Sequence, residues 1–270
     1  MLGWPRLKKL FEVIHEDAEL LVVHKPADLV CHPTKGDEYS SLISRARIYL
    51  SGMGREAQGV GQALAPIASS LAPHLVNRLD RETSGLVVIA KNSAVARELG
   101  KIWETRAIQK EYLAIVHGHV AAEQGMIDAP LGKDETSIVA IKDCVRADGA
   151  PAQTEFFVEK RFTRQAATFP SSIRHLPFSL LRLLPRTGRK HQIRIHLQHL
   201  GHPIVGDKIY GGDPDLYLAL VEGRLTEEQR RRLILPSHAL HAGRLQFHWR
   251  EKDWDFFTPP EPAFTDFLKE

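Results

Sequence analysis

Residues able to act together chemically concentrate in two stretches of this chain. The first runs from His74 to Lys91, H-L-V-N-R-L-D-R-E-T-S-G-L-V-V-I-A-K, and sets Asp80 between Arg78 and Arg81 in a polar turn. Leu86 to Ala90 follows as a short apolar run rich in β-branched residues, punctuated by Gly85 before it and Lys91-Asn92 after it, which predicts a buried strand. Asp80 is thus expected on a loop whose position a rigid strand fixes, the usual setting for a catalytic group. Two adjacent guanidinium groups favour its ionised form. The chemistry on offer is that of a single carboxylate, acting as nucleophile or base. The alternative is an Asx-turn, with Asp80 bonding the backbone near Thr83 and Ser84.

The second stretch is Leu184 to Gly212, L-P-R-T-G-R-K-H-Q-I-R-I-H-L-Q-H-L-G-H-P-I-V-G-D-K-I-Y-G-G. Thr187 is expected to cap a helix with the apolar stripe Ile193, Leu197 and Leu200, and Gly201 suits the position just past its end. Arg194 lies close to that stripe and must find an anion. Arg186, Arg189, Lys190 and His191 crowd the helix start, where free N–H groups already favour phosphate. Histidines 191, 196, 199 and 202 invite a metal reading, but no H-E-x-x-H occurs, and the nearest acid is Asp207 beyond the turn. A serine hydrolase would need a G-x-S-x-G elbow, which is absent, and a phosphate-cleaving nuclease would need several acids for its metal ions. What stays favoured is a reaction without metal or cofactor, on an anionic substrate, that turns on one carboxylate.

The elements around these stretches read as strands and short helices. Phe11 to Ile14 and Glu19 to His24 predict two strands, with Lys25-Pro26 stopping the second and leaving Lys25 as a cation at a strand end. Ser40 to Leu50 predicts an amphipathic helix with Leu42, Ile43 and Ile48 inward, and Ser51 to Pro73 a connection rich in Gly, Ala and Ser. Ser93 to Thr105 predicts a helix, and Lys110 to Val116 a strand whose one aromatic is Tyr112. Ile127 to Leu131, Thr136 to Ile141, Ala152 to Phe162 and Phe178 to Leu184 continue as strands between Gly, Pro and charged turns. Glu222 to Leu235 predicts a charged helix and Arg244 to Trp249 a last strand before a Pro-rich tail. Such a series points to a large, mostly antiparallel sheet rather than repeated βαβ units.

With 270 residues, 43% of them hydrophobic, the chain can bury a full core. Lys plus Arg is 36 against 33 Asp plus Glu, a net charge of +3, so binding to nucleic acid has to come from local clusters. The two cysteines, Cys31 and Cys144, have no C-x-x-C spacing and are expected to be buried thiols. Without a signal-peptide core or a run of membrane-spanning length, the reading is a reduced, soluble, cytoplasmic protein that is not membrane-bound.

Five segments resemble the RluA-type pseudouridine synthases in order. They are L-L-V-V-H-K-P at Leu20 to Pro26, N-R-L-D-R-E-T-S-G-L at Asn77 to Leu86, K-E-Y-L-A-I-V-H-G at Lys110 to Gly118, T-G-R-K-H-Q-I-R-I-H-L at Thr187 to Leu197, and G-H-P-I-V-G-D-K-I-Y-G at Gly201 to Gly211; L-H-A-G-R-L at Leu240 to Leu245 closes the series. The resemblance implies an α+β fold, residues 1–270 forming one catalytic domain whose long mixed, mostly antiparallel sheet spans two helix-flanked subdomains with a central active cleft. It implies conversion of uridine in RNA to its carbon-linked isomer: the N-glycosidic bond breaks, the base turns and rejoins through carbon 5, and no atom is lost or gained. Asp80 would be the catalytic carboxylate, attacking the sugar or the base or first abstracting a sugar proton. Tyr112 would stack on the uracil and assist proton transfer, and Arg194 would pair with Asp80 and aim it. Arg78 would fill the space left by the flipped nucleotide. RNA would be gripped by Arg186, Arg189 and Lys190 with Lys25 beside them, because the chain leaves no room before Leu20 for a small N-terminal RNA-binding domain. The expected partner is a tRNA or rRNA stem-loop, bound by a monomer that needs no cofactor, metal or protein partner. Asn77 departs from the family's usual histidine. A non-catalytic RNA-binding relative and a histidine-metal hydrolase are the rival readings.

Overall fold

The computed structural model describes residues 11–33, 40–52, 72–165 and 175–269. In chain order the elements are β1 (Glu12–Glu16), β2 (Leu20–Lys25), α1 (Leu42–Leu50), β3 (His74–Leu75), β4 (Ser84–Ala90), α2 (Ser93–Glu104), β5 (Ile108–His117), β6 (Gln124–Asp128), β7 (Leu131–Lys133), β8 (Asp143–Val145), β9 (Gln153–Arg164), β10 (Leu176–Pro185), α3 (Gln192–His199), α4 (Asp215–Val221), α5 (Glu227–Leu233), β11 (Leu240–Trp249), β12 (Lys252–Phe257) and α6 (Pro262–Leu268). The fold is α+β. Two compact units divide the chain: Met1–Ile108 with Arg244–Pro259, and Gln109–Gly243 with Pro260–Glu270.

In the first unit β2 and β4 are buried along their whole lengths, as continuous apolar runs require. They pair antiparallel from Leu20 opposite Ala90 to Lys25 opposite Gly85. That register sets the end of β2 beside the turn that precedes β4. Gly85 enters the strand at φ 120°, a conformation that side chains with a Cβ rarely adopt. Asn92 caps α2 by accepting from Ala94 and Val95 N–H, and Val95 and Leu99 pack into a cluster with Leu86, Val88, Phe247 and Trp249. The predicted connection from Ser51 to Pro73 lies almost wholly outside the described residues.

In the second unit β10 lies antiparallel between β5 and β9, placing Leu183 opposite Tyr112, and β6 pairs with β9. Ala114, Val116, Phe178, Leu181, Ile193 and Leu197 belong to one buried cluster; Leu131, Val139, Ala152, Ile195, Ile209 and Tyr210 form another. Helix α3 therefore buries two faces, which explains a sequence more apolar than one stripe.

Several predicted elements are corrected here. Thr136 to Ile141 is not a strand: Asp134 accepts from the Thr136 N–H and hydroxyl, Ser137 accepts from Val139 N–H, and these local bonds take the backbone away from a ladder. Of its apolar residues Val139 is buried, while Ile138 and Ile141 are exposed. The strand expected over Ile127 to Leu131 is split between β6 and β7, which pair with different partners, with Ala129-Pro130 between them. The charged helix begins later than Glu222, at a capping box in which Thr226 and Gln229 bond each other's backbone. The Pro-rich tail holds β12 and α6. Thr187 caps nothing; the residue before α3 is His191, at φ 55°, with no side-chain cap bond. Cys31 is buried as expected, whereas Cys144 is only partly so.

Candidate active site

Asp80 occupies a β-turn in the first unit, where its carbonyl accepts the Thr83 N–H at 3.2 Å, directly before β4. The path into this turn is set by side chains as well as backbone. After β3 leaves its pairing with β4, Val76 N–H reaches Val88 O at 2.9 Å. The Asn77 amide then imitates the next step of the ladder: Nδ2 donates to Leu86 O at 3.1 Å, and Oδ1 accepts from Val88 N–H at 2.8 Å. Leu79 is held in turn by Cys31, whose Sγ donates to Leu79 O and accepts from Leu79 N–H, each at 3.4 Å. Burial, ahead of every nearby charge, pushes the Cys31 thiol up, so it stays protonated; Lys25, Arg78 and Asp80 all lie close enough to act on it.

Lys25 is corrected. It is fully buried, with 0% exposure, and Nζ donates to Pro26 O at 2.8 Å, Leu29 O at 2.8 Å and Arg81 O at 3.0 Å. An ammonium group has three protons. Three of this lysine's bonds run to backbone carbonyls and brace the Asp80 turn from β2, and full burial takes the ammonium away from an RNA phosphate. Arg78 and Arg81 are exposed, and Arg81 Nε donates to Asp28 Oδ1 at 2.7 Å. Burial and the charges of Arg78 and Arg47 hold His32 below its usual pKa, a sign of a positive surface next to the turn.

In the second unit Arg194 is 5% exposed on α3 and forks onto Asp207, Nε to Oδ2 at 2.7 Å and Nη2 to Oδ1 at 2.8 Å. Asp207 Oδ1 also accepts from Ile209 and Tyr210 N–H at 2.9 and 3.0 Å. Burial alone would raise this carboxyl, but the Arg194 charge and bonds outweigh it and hold the pKa far below the usual range. Gly206 permits the approach: at φ 82°, a Cβ there would lie 2.6 Å from Ser237 O. The Tyr210 ring covers the guanidinium, 5.0 Å from Cζ to centroid. Reading the sequence missed this anion for Arg194, although Asp207 is the nearest acid downstream. Tyr112 is half-buried and packs at the edge of the larger cluster.

The segment between β10 and α3 carries Arg186, Arg189 and Lys190, all exposed. Arg186 pairs with Glu155 at 2.5 Å, Lys190 with Asp143 at 2.9 Å, and Arg189 Nε donates to Pro151 O at 3.2 Å. Thr187 and Gln192 tie this segment down: Thr187 donates to Gln192 Oε1 at 2.6 Å and accepts from Gln153 N–H at 3.0 Å. Exposed pairs contribute about 0–1 kcal/mol, so phosphate can replace these carboxylates at little cost. The histidines are scattered over separate tasks. His196 is buried, its ring nitrogens on Thr154 Oγ1 and Ala129 O; His191 bonds Tyr210 OH; His202 bonds His117 O; His199 is exposed. No group of three or more potential metal ligands occurs among the described residues.

The first unit thus carries a carboxylate on a braced turn and the second a tethered cationic segment, in a protein of the α+β class. The chain belongs to the RNA pseudouridylate synthase family, which it matches over residues 19–199. It is 32% identical over 266 residues to the dual-specificity RNA pseudouridine synthase RluA of Vibrio parahaemolyticus, covering 95% of this chain and 88% of that protein. An uncharacterized RNA pseudouridine synthase of Bacillus subtilis is 30% identical over 252 residues, covering 93% of this chain and 69% of the relative. The chain spans 62% and 55% of the lengths of relatives from Chloroflexus aurantiacus and Aquifex aeolicus. In fold it is similar to human RNA pseudouridylate synthase domain containing 1, with a TM-score of 0.64 at 24% identity, covering 98% of this chain and 89% of that one. Proteins so named are isomerases that act on RNA.

Proposed function

We propose that this chain isomerises a uridine in a tRNA or rRNA stem-loop, as a monomer in the cytoplasm, with Asp80 as the catalytic carboxylate and without metal or cofactor. The observation that carries the reading is Asp80 on a turn fixed to a fully buried strand, in a chain of this family. Breaking the N-glycosidic bond and rejoining the sugar to carbon 5 moves one proton from that carbon to solvent and one onto the freed ring nitrogen. Oxidation state is unchanged, so one aimed carboxylate and a proton relay meet the requirement. Tyr112 is assigned to stack on the uracil, Arg194 to hold the site's geometry from α3, and Arg78 to stand in for the flipped nucleotide. Arg186, Arg189 and Lys190 supply phosphate contacts. Asp80→Asn keeps shape and removes the charge; tritium release from RNA labelled at uracil carbon 5 should vanish while RNA binding stays near that of the parent. Release within tenfold of the parent rate refutes the assignment.

A further inference from the structure

We propose that Asn77 and Cys31 are positioning residues that set the aim of the Asp80 carboxylate, a role that rests on the isomerase reading. The catalytic turn must leave β4 at one edge and return to it at Ser84. A flexible path between those points would let Asp80 wander. Asn77, three residues before Asp80, closes two bonds onto β4 with its side chain and so carries the strand's register one step beyond β3. Cys31, reaching in from the segment after β2, brackets the peptide groups of Leu79 on the residue adjacent to Asp80. Leu79 is itself buried, so its N–H and carbonyl have few other places to go. On the far side, Lys25 holds Arg81 O. Asp80 is therefore gripped through the residues on either side of it.

The chemistry of the anchors predicts distinct failures. Asn77→Ala removes a donor and an acceptor together and lets the turn drift from β4. Cys31→Val stays apolar and deletes both sulfur contacts, whereas Cys31→Ser keeps a donor and an acceptor. Misplacing a reacting group by about 1 Å costs on the order of 100-fold in rate. Both Asn77→Ala and Cys31→Val should lower the single-turnover rate roughly 10- to 100-fold with RNA Kd within about threefold of the parent, while Cys31→Ser retains most of the rate. A general loss of stability would not split rate from binding in this way. Leu99→Ala, in the α2 core of the same unit, supplies the control: at a matched loss of Tm it should keep the parent rate below its melting range.

The experiment measures single-turnover conversion, RNA Kd and thermal unfolding on each variant with one RNA that the parent modifies. Parent-like rates in Asn77→Ala and Cys31→Val overturn the positioning role and leave the isomerase reading intact. Losses confined to Kd, or an equal rate loss in Leu99→Ala at matched Tm, overturn it as well. A parent that modifies no cellular RNA in a transcriptome-wide comparison of cells with and without the chain overturns both.

Discussion

Asp207→Asn removes one charge from a site where water cannot replace it. The carboxylate accepts four bonds, two from the Arg194 fork and two from the Ile209 and Tyr210 N–H groups. An amide can keep an oxygen at the Oδ1 position, but it sets an NH2 against Arg194 Nε where Oδ2 stood at 2.7 Å. Arg194, at 5% exposure, is then left with a donor facing its donor and no countercharge from Asp207. Breaking a buried pair this way typically costs about 3–5 kcal/mol. At about 2–4 °C per kcal/mol for a domain of this size, Tm should fall by roughly 6–20 °C. Arg194→Lys should cost a similar amount, since an ammonium cannot span both oxygens. The double variant Arg194→Met with Asp207→Leu should be less destabilised than the two single changes added together, because apolar groups of similar volume leave no orphaned charge. The pH dependence has a fixed sign. Because the folded carboxyl is held below its unfolded value of about 3.9, the pair's contribution is complete above that pH and is lost as pH falls through the folded value. Parent and Asp207→Asn stabilities should therefore converge in acid. Thermal and urea unfolding across pH provide the measurement, and an Asp207→Asn Tm within about 2 °C of the parent at neutral pH would refute the reasoning.

Lys25→Met should lower stability and leave the salt dependence of RNA binding unchanged, because its ammonium is fully buried and donates to three carbonyls; Lys190→Ala should instead reduce the slope of log Kd against log salt by about one, with stability near that of the parent. A smaller slope in Lys25→Met would return it to the RNA surface. Conversion should persist in EDTA without added cofactor; loss of turnover restored by zinc or magnesium would bring a metal back into the reaction.

What could be read from the sequence follows physical lines. The placement of Asp80 on a turn before β4 was legible because a polar turn before a β-branched run is a local pattern that needs only neighbouring residues to specify it. The positions of Tyr112 within β5 and of the cations just before α3 were likewise set by local pattern. Lys25 was misread because register, not local sequence, decides its fate: pairing Lys25 opposite Gly85 puts it under the turn rather than at a free strand end. The bonds of Asn77 and Cys31 were invisible because they depend on partners 9 to 48 residues away. Thr136 to Ile141 carried strand-forming residues, yet local bonds to the Asp134 and Ser137 side chains outcompeted the ladder, a contest that propensity cannot settle.

The Arg194 pairing shows how a functional reading and a structural one can share a residue. A cation beside an apolar stripe requires an anion, and a substrate-facing carboxylate is one candidate. The second unit supplies Asp207 from a turn that Gly206 makes possible, so α3 can bury both faces with its charge neutralised locally. With two of its donors committed to Asp207, the guanidinium is held in one orientation by a partner in its own unit. A rotamer-rich side chain becomes a preorganised one.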